Sequence, residues 1–163
     1  MSLISLSSAE EKSIREKPAF EFKDAFLMLL LGAAIGIGLN LVFSAMGITQ
    51  SSETFEKVAQ AQFSRPFWEG LLLYGLVAPV LEEVVFRKGI YGIFRRFASF
   101  TVAMVVSAAL FGIYHGNVVQ GLYGFLMGLV LAVSYEEYQN LLAPILFHGG
   151  ANLAVYALMY IKI

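Results

Sequence analysis

The sequence contains no cysteine and few charged residues, and each of these shortages excludes some classes of protein. Without cysteine it can form no disulfide, no thiolate zinc site and no thiol nucleophile. Only 14% of its residues are charged and 58% are hydrophobic, whereas soluble domains carry roughly 25% charged residues. The net charge of −1 provides no basic field, so we expect no nucleic-acid partner. The composition therefore predicts a protein of the lipid bilayer.

Long apolar segments separated by short polar ones predict the fold. A helix that crosses the bilayer needs about 20 mostly apolar residues, and five segments approach that length: about 25–48, 66–94, 99–115, 118–133 and 141–161. We therefore predict an all-α, polytopic transmembrane helix bundle with about five membrane-spanning helices, forming a single membrane domain over residues 25–163. Residues 1–24 are predicted to be a cytosolic tail, because they are charged and lack the apolar core of a signal peptide.

The connecting segments indicate the orientation. Between the first two spans, Ser51 or Ser52 could cap a short helix on the membrane surface. Glu136 and Glu137 are placed in the last turn between spans, on a solvated surface. With the N-terminus inside, eight basic residues fall inside and three outside, which favours a multi-pass protein of the cell membrane with a cytoplasmic N-terminus and an external C-terminus. The eight are Lys12, Arg15, Lys17, Lys23, Arg87, Lys88, Arg95 and Arg96.

Two adjacent carboxylates lie inside the second span, where each charge costs at least about 2.5–3.5 kcal/mol. Glu83 and Arg87 are four residues apart, one helical turn, so this pair can neutralise itself. Glu82 projects about 100° away and can face a cavity. We therefore assign Glu82 to chemistry and Glu83 to support, against the alternative that both carboxylates only hold the bundle together. Pro79 is expected to free the carbonyl of Gly75, which would favour a wet pocket.

The only two histidines also lie in apolar helices, in FGIYH (111–115) and HGGAN (148–152). His148 and Asn152 are four residues apart and share a helix face. Phe111 lies one turn before His115 and is expected to form a wall that orients the imidazole. At about 1.5 Å per residue, Glu82 and His115 lie about 24–25 Å from the inner turn and His148 only about 13 Å. Tilted helices, or an interfacial piece between Arg87 and Phe97, would be needed to bring them together.

Several membrane chemistries are excluded by what the sequence lacks. Intramembrane aspartyl proteolysis needs two aspartates, and Asp24 is the only one. A serine enzyme is disfavoured because no GxSxG element occurs, and Ser107 and Ser134 have no evident partner. The HExxH pair of the zincins is absent as well.

Two chemistries remain open for the polar residues that the helices carry. In one, Glu82 and His115 polarise a water molecule while His148 and Asn152 stabilise an oxyanion. In the other, a zinc ion is bound by Glu82, His115 and His148.

In order and in helical context, EEVVFR (82–87), FGIYH and HGGAN resemble the EExxxR, FxxxH and HxxxN motifs of the CPBP family, the CAAX-processing and bacteriocin-processing intramembrane endopeptidases. The resemblance covers about residues 67–156. It implies an enzyme that hydrolyses peptide bonds of a membrane-associated peptide or protein. The implied roles are activation of water by Glu82 and His115, and oxyanion stabilisation by His148 and Asn152. Support comes from Glu83 and Arg87.

The cofactor and a second function stay open. The family is often labelled a metallopeptidase, but zinc rarely selects an asparagine, so no metal is assigned and zinc is kept as the alternative. The alternative function is a non-catalytic bacteriocin immunity or membrane scaffold protein. A proton-coupled transporter is disfavoured because no internal repeat is visible. The expected partners are a peptide or protein substrate in the membrane and the lipid bilayer itself.

Overall fold

The structure is a computed structural model that describes residues 19–50 and 52–161, so most of the expected cytosolic tail lies outside the described residues. This part of the chain is helical and contains no strand, which confirms the predicted all-α fold. Its helices are α1 (Phe22–Ala45), α2 (Glu53–Phe63), α3 (67–95), α4 (Phe100–Tyr114), α5 (Val118–Tyr138) and α6 (Leu142–Ile161). The division into a tail and one membrane domain stays a prediction.

The outer surface of the bundle is apolar, as a lipid-facing surface must be. Helices α1, α5 and α6 are long and apolar enough to cross a membrane, whereas α4 is apolar but has 15 residues. Large side chains such as Ile113 and Val118 are 75% exposed. The predicted orientation is not tested by these features. One charge used for it must be removed, because Arg87 is fully buried within the bundle; the basic residues then divide seven against three, in the same direction.

Helix α3 is divided into five consecutive pieces by two π-helical segments. The α-helical pieces are Phe67–Leu72, Ala78–Glu83 and Gly92–Arg95, and the π-helical pieces are Leu73–Val77 and Val84–Tyr91. The two carboxylates therefore lie at the end of a short α-helical piece between two π segments. Such segments are rare and occur frequently at functional sites.

Pro79 acts on a different carbonyl from the one expected. In the first π segment the backbone bonds run from residue i+5 to residue i, and the Ala78 N–H accordingly donates to the Leu73 carbonyl. The next donor in this register would be residue 79, and proline has no N–H. The carbonyl left without a helical donor is therefore that of Tyr74, and the expectation for Gly75 was wrong because it assumed an α-helical register.

Helix α2 is the short helix expected between the first two spans. The Ser52 side chain caps it by accepting a hydrogen bond from the Phe55 N–H, at 3.2 Å; the other candidate cap, Ser51, lies outside the described residues. No residue of α2 is buried. It is held in part by Phe63, whose ring stacks on Tyr156 of α6 with centroids 5.3 Å apart.

The C-terminal end of α5 is tied to α3, which differs from the expectation for its acidic residues. Glu136 lies in the last turn of α5, where it accepts a hydrogen bond from the Tyr91 hydroxyl at 2.5 Å and pairs with Arg95 at 3.2 Å. Glu137 is exposed, as expected. The placement of Glu136 on a solvated surface was wrong because the partners are 41 and 45 residues away in the chain, beyond any local pattern.

Glycines allow α1 and α6 to approach closely. A Cβ atom at Gly32 would overlap the Phe147 backbone oxygen, and one at Gly36 would come within 2.9 Å of Ala151. Small residues at such positions are the usual means by which membrane helices pack, since the apolar surroundings provide no hydrophobic force between them. This contact fixes α6, and with it the residues that α6 carries.

Adding one methyl group at this contact is expected to destabilise the bundle. Gly32→Ala should lower the free energy of unfolding by about 1–3 kcal/mol, because the close-packed backbone has no room for it. Gly38→Ala is the matched control on the same helix, since nothing lies within 4 Å of its added Cβ; it should be neutral or stabilise by up to about 1 kcal/mol through helix propensity. Circular dichroism during detergent-induced unfolding measures both. Equal effects of the two substitutions would contradict the close contact.

Candidate active site

The polar residues singled out on three helices line one cavity of about 190 Å³. Glu82 comes from α3, His115 from the end of α4, and His148 and Asn152 from α6. The Nε2 atom of His148 lies 3.6 Å from Glu82 Oε2. Counting residues along the helices predicted different depths in the bundle for Glu82 and His148, and this short distance shows that the prediction was wrong. That count treated α3 and α6 as straight, parallel α-helices, and α3 contains two π segments.

The two adjacent glutamates have different environments. Glu83 Oε2 lies 2.9 Å from Arg87 Nε, and both side chains are fully buried. The side chain of Glu82 remains 17% exposed and faces the cavity. The separation follows from the 100° rotation between consecutive helical residues. Glu82 is thus the one of the two carboxylates that a bound molecule can reach.

Glu83 also reaches across to α6, which spacing did not indicate. Its Oε1 atom lies 2.9 Å from Nδ1 of His148. A carboxylate only accepts hydrogen bonds, so in this contact Nδ1 of His148 is the donor. Nε2 is then the nitrogen of His148 that faces Glu82 and the cavity.

His115 is held by its own helix. It is the C-terminal cap residue of α4, and its Nδ1 lies 2.8 Å from the Phe111 carbonyl oxygen. Because a carbonyl can only accept, Nδ1 donates and Nε2 is left for the cavity. The Phe111 ring stands perpendicular to both imidazoles, with centroids 4.9 Å from His115 and 5.6 Å from His148. Phe111 is therefore a wall for two histidines, where a contact with one was expected.

Asn152 satisfies the carbonyl that Pro79 leaves without a donor. Its Nδ2 donates to the Tyr74 oxygen at 2.9 Å. One N–H of the amide is thereby committed to holding α3 against α6. A primary amide has a second N–H, which is the one that could serve a bound molecule.

Ser107 is a buried residue whose partners were missed. Its hydroxyl accepts from Arg87 Nη1 and donates to the Phe86 carbonyl, each at 3.0 Å, and the residue is fully buried. Neither contact is with a histidine, so the expectation that Ser107 has no partner for serine catalysis is not contradicted. One signal was available, since Ser107, Phe111 and His115 follow each other at intervals of four and share one face of α4.

The zinc alternative needs Glu82, His115 and His148 to converge on a single ion. Across residues 19–50 and 52–161, no group of three or more His, Asp or Glu side chains is arranged to hold a metal ion. In both histidines Nδ1 is engaged by a protein oxygen, which is also the usual arrangement of zinc-ligating histidines, so these two bonds do not decide between the two chemistries. As they are arranged, the described residues form no zinc site, and the mechanism proposed for this protein uses none.

The rest of the cavity extends toward α1 and α2. Its wall there combines aromatic, small and amide side chains, from Asn40, Phe43, Phe55, Ala59, Gln62 and Phe63. The glutamate and histidines thus share a mostly apolar cavity whose lining includes residues of α2.

The sequence model of the family described as type II CAAX prenyl endopeptidase Rce1-like matches residues 64–154. This segment carries Glu82, His115, His148 and Asn152. It also includes the π segments that bracket the carboxylates.

Curated relatives are similar to the chain over shared segments. YdiL of Bacillus subtilis (strain 168), named as a candidate membrane peptidase, is 28% identical over 120 residues, 74% of this chain and 48% of that protein. The membrane-embedded CAAX protease MroQ of Staphylococcus aureus (strain USA300) is 25% identical over 132 residues, 77% of this chain and 51% of MroQ. The UPF0177 protein YbdI of Lactococcus lactis subsp. lactis (strain IL1403) is 30% identical over 91 residues, 55% of this chain and 49% of YbdI.

The chain spans about half the length of the curated relatives it matches. No solved structure matches it. The match to the family covers more than half of the chain and confirms the resemblance seen in the three motifs. The protein therefore belongs to the Rce1-like family of type II CAAX prenyl endopeptidases.

Proposed function

We propose that the protein is an intramembrane endopeptidase that hydrolyses a peptide bond in a membrane-associated peptide or protein. One observation carries this proposal. Glu82, a carboxylate inside an apolar bundle, faces a cavity that it shares with both histidines of the chain, and lies 3.6 Å from one of them. A carboxylate next to imidazoles in a space that can hold water suits general-base hydrolysis. Family membership supports the same reaction class.

The attacking water would be bound between Glu82 and His115. As its oxygen attacks the scissile carbonyl carbon, one water proton passes to the Glu82 carboxylate. His115 accepts a hydrogen bond from the same water through Nε2, the nitrogen that its bond to Phe111 leaves open. The product of this step is a tetrahedral intermediate with a negative charge on the former carbonyl oxygen.

That oxyanion would be stabilised from α6. His148 donates through Nε2 when its ring carries both protons, because Nδ1 is held by Glu83. Asn152 donates through the N–H that is not used by Tyr74. Donors positioned before the reaction stabilise developing charge without reorganisation. The intermediate then collapses: the C–N bond breaks, and the proton on Glu82 passes to the leaving amine, which restores the carboxylate.

The route of the water oxygen tests the proposal. The purified protein in lipid vesicles is incubated with a library of transmembrane peptides in oxygen-18 water, and the products are analysed by mass spectrometry. Direct attack by water places one labelled oxygen in the new carboxyl group within a single turnover. Failure of the wild-type protein to cleave any library peptide would contradict the proposal.

Removal of metal is expected to leave the rate unchanged. Because the described residues do not form a zinc site, dialysis against EDTA should not alter the initial rate of cleavage, and metal analysis of the purified protein should find no stoichiometric zinc. A rate that is lost on dialysis and returns on addition of zinc would contradict the metal-free mechanism.

A further inference from the structure

We propose that Ser107 is a positioning residue of the active site: acting through Arg87 and Glu83, it holds the His148 imidazole so that Nε2 faces the cavity. The proposal rests on the proposed function in one respect, the use of His148 in the reaction. The contacts that support it are different ones, because they are made by side chains that lie behind the cavity.

A continuous chain of polar contacts joins Ser107 to His148. Ser107 Oγ is 3.0 Å from Arg87 Nη1, and Arg87 Nε is 2.9 Å from Glu83 Oε2. The other oxygen of Glu83 is 2.9 Å from His148 Nδ1. Ser107 is on α4, His148 on α6, and the ion pair between them on α3. The chain therefore couples all three helices that supply the active site.

The direction of each contact is fixed by chemistry. The Ser107 hydroxyl proton is donated to the Phe86 carbonyl at 3.0 Å, which turns a lone pair toward Arg87. The guanidinium has only donors, and the carboxylate has only acceptors. Glu83 must consequently accept from Nδ1 of His148. The serine hydroxyl thus fixes the position of Arg87, and through the ion pair with Glu83 it supports the orientation of the imidazole.

Burial makes each member of this chain difficult to replace. Ser107, Arg87 and Glu83 are fully buried, and His148 is 4% exposed. Within the described part of the chain, neither Nη2 nor Nε of Arg87 makes a hydrogen bond. Nε is held to Glu83 Oε2 as an ion pair at 2.9 Å, and Ser107 accepts the hydrogen bond from Nη1 that anchors the outer end of the guanidinium. The Phe111 ring, 5.1 Å from Cζ, supports its face. Without Ser107 the guanidinium can rotate about its contact with Glu83, and the carboxylate can rotate with it.

Three substitutions at one position, with a matched control, test this role. Ser107→Ala should lower kcat about tenfold, the loss expected from one hydrogen bond to a charged group, with little change in KM because substrate does not touch the residue. Ser107→Thr retains the hydroxyl and should recover most of kcat. Ser107→Cys, a weak acceptor of similar size, should be intermediate, and serves if the alanine variant does not fold. The control is Ser134→Ala at another buried serine, whose hydroxyl donates to the Leu131 carbonyl of its own helix.

A second readout observes His148 directly. The protein has two histidines, so nitrogen-15 labelling of histidine gives two imidazoles, and a His115→Gln variant assigns them. Wild-type His148 is expected to show a protonated Nδ1 that is hydrogen-bonded to Glu83, and Ser107→Ala should weaken that bond and shift the Nδ1 signal. A folded Ser107→Ala protein with wild-type kcat would overturn the proposal. So would a fall in kcat with unchanged His148 signals, which would indicate a purely structural serine.

The two proposals fail in different ways. The His148 signals can be measured in a protein that cleaves nothing, so they test the series of contacts from Ser107 to His148 independently of peptidase activity. If no peptide is cleaved but the imidazole signals respond to Ser107→Ala, the proposed function is wrong. Ser107 then orients His148, but it has no role in peptide hydrolysis. If cleavage occurs and the signals do not respond, the proposed function stands and the role of Ser107 is wrong.

Discussion

Replacing Glu82 with glutamine is expected to lower kcat by about 10²- to 10⁴-fold, the range that general-base catalysis contributes. Glutamine has nearly the same shape as glutamate but cannot accept the water proton. The variant should remain folded, because Glu82 lies outside the fully buried ion pair of Glu83 and Arg87. The initial rate of cleavage in lipid vesicles measures the loss, and the detergent-induced unfolding curve checks the fold.

The matched control for this substitution is Glu137→Gln. Glu137 is an exposed glutamate in the last turn of α5 and does not line the cavity. The same loss of one carboxylate charge there should leave kcat unchanged. If the folded Glu82→Gln protein cleaved its peptide at the wild-type rate, another group would have to activate the water, and the mechanism would fail.

The sequence could predict the relations within a helix. Four residues form about one helical turn, so the pairing of Glu83 with Arg87 and the shared face of His148 and Asn152 follow from spacing alone. The turn of about 100° between neighbours likewise separates Glu82 from Glu83. The gathering of the helices into one bundle was indicated only indirectly, by the cost of placing charge in lipid unless it serves a common site.

Contacts between helices could not be predicted in the same way. The bonds of Glu83 to His148 and of Arg87 to Ser107 depend on how far each helix is rotated and tilted. Close packing sets both the rotation and the tilt. At Gly32, for example, the backbone of α6 limits how closely α1 can approach. A pattern within one segment contains no information on its neighbour's position, so the partners of the buried polar residues remained unidentified.

The hydrogen-bond register of α3 was a second feature that the sequence did not predict. Counting four residues back from Pro79 points to Gly75, whereas the π-helical register moves the unpaired carbonyl to Tyr74, where Asn152 reaches it. The residue spacing around Pro79 does not distinguish the two registers. The consequence is functional, because one N–H of Asn152 is committed to this structural bond and the other is left for its proposed work on the oxyanion.

Removing one partner of the buried ion pair is expected to destabilise the protein by about 3–5 kcal/mol, because an uncompensated charge is left in an apolar interior. This applies to Glu83→Leu and to Arg87→Met, since both side chains are fully buried. The double variant should be destabilised by much less than the sum of the two, because no buried charge is left unpaired. Unfolding of the four proteins in detergent gives the coupling energy, and additive effects would show that the pair does not interact.

Activity should separate from stability in the double variant. It is expected to fold, yet His148 has lost the carboxylate that accepts from its Nδ1, so the imidazole is free to rotate and to change tautomer. We expect kcat to fall about 10- to 100-fold, as on loss of an orienting partner. Wild-type kcat in a folded double variant would show that Glu83 and Arg87 serve only the stability of the bundle. A low kcat in a protein of nearly wild-type stability would instead show that the ion pair is kept for the orientation of His148.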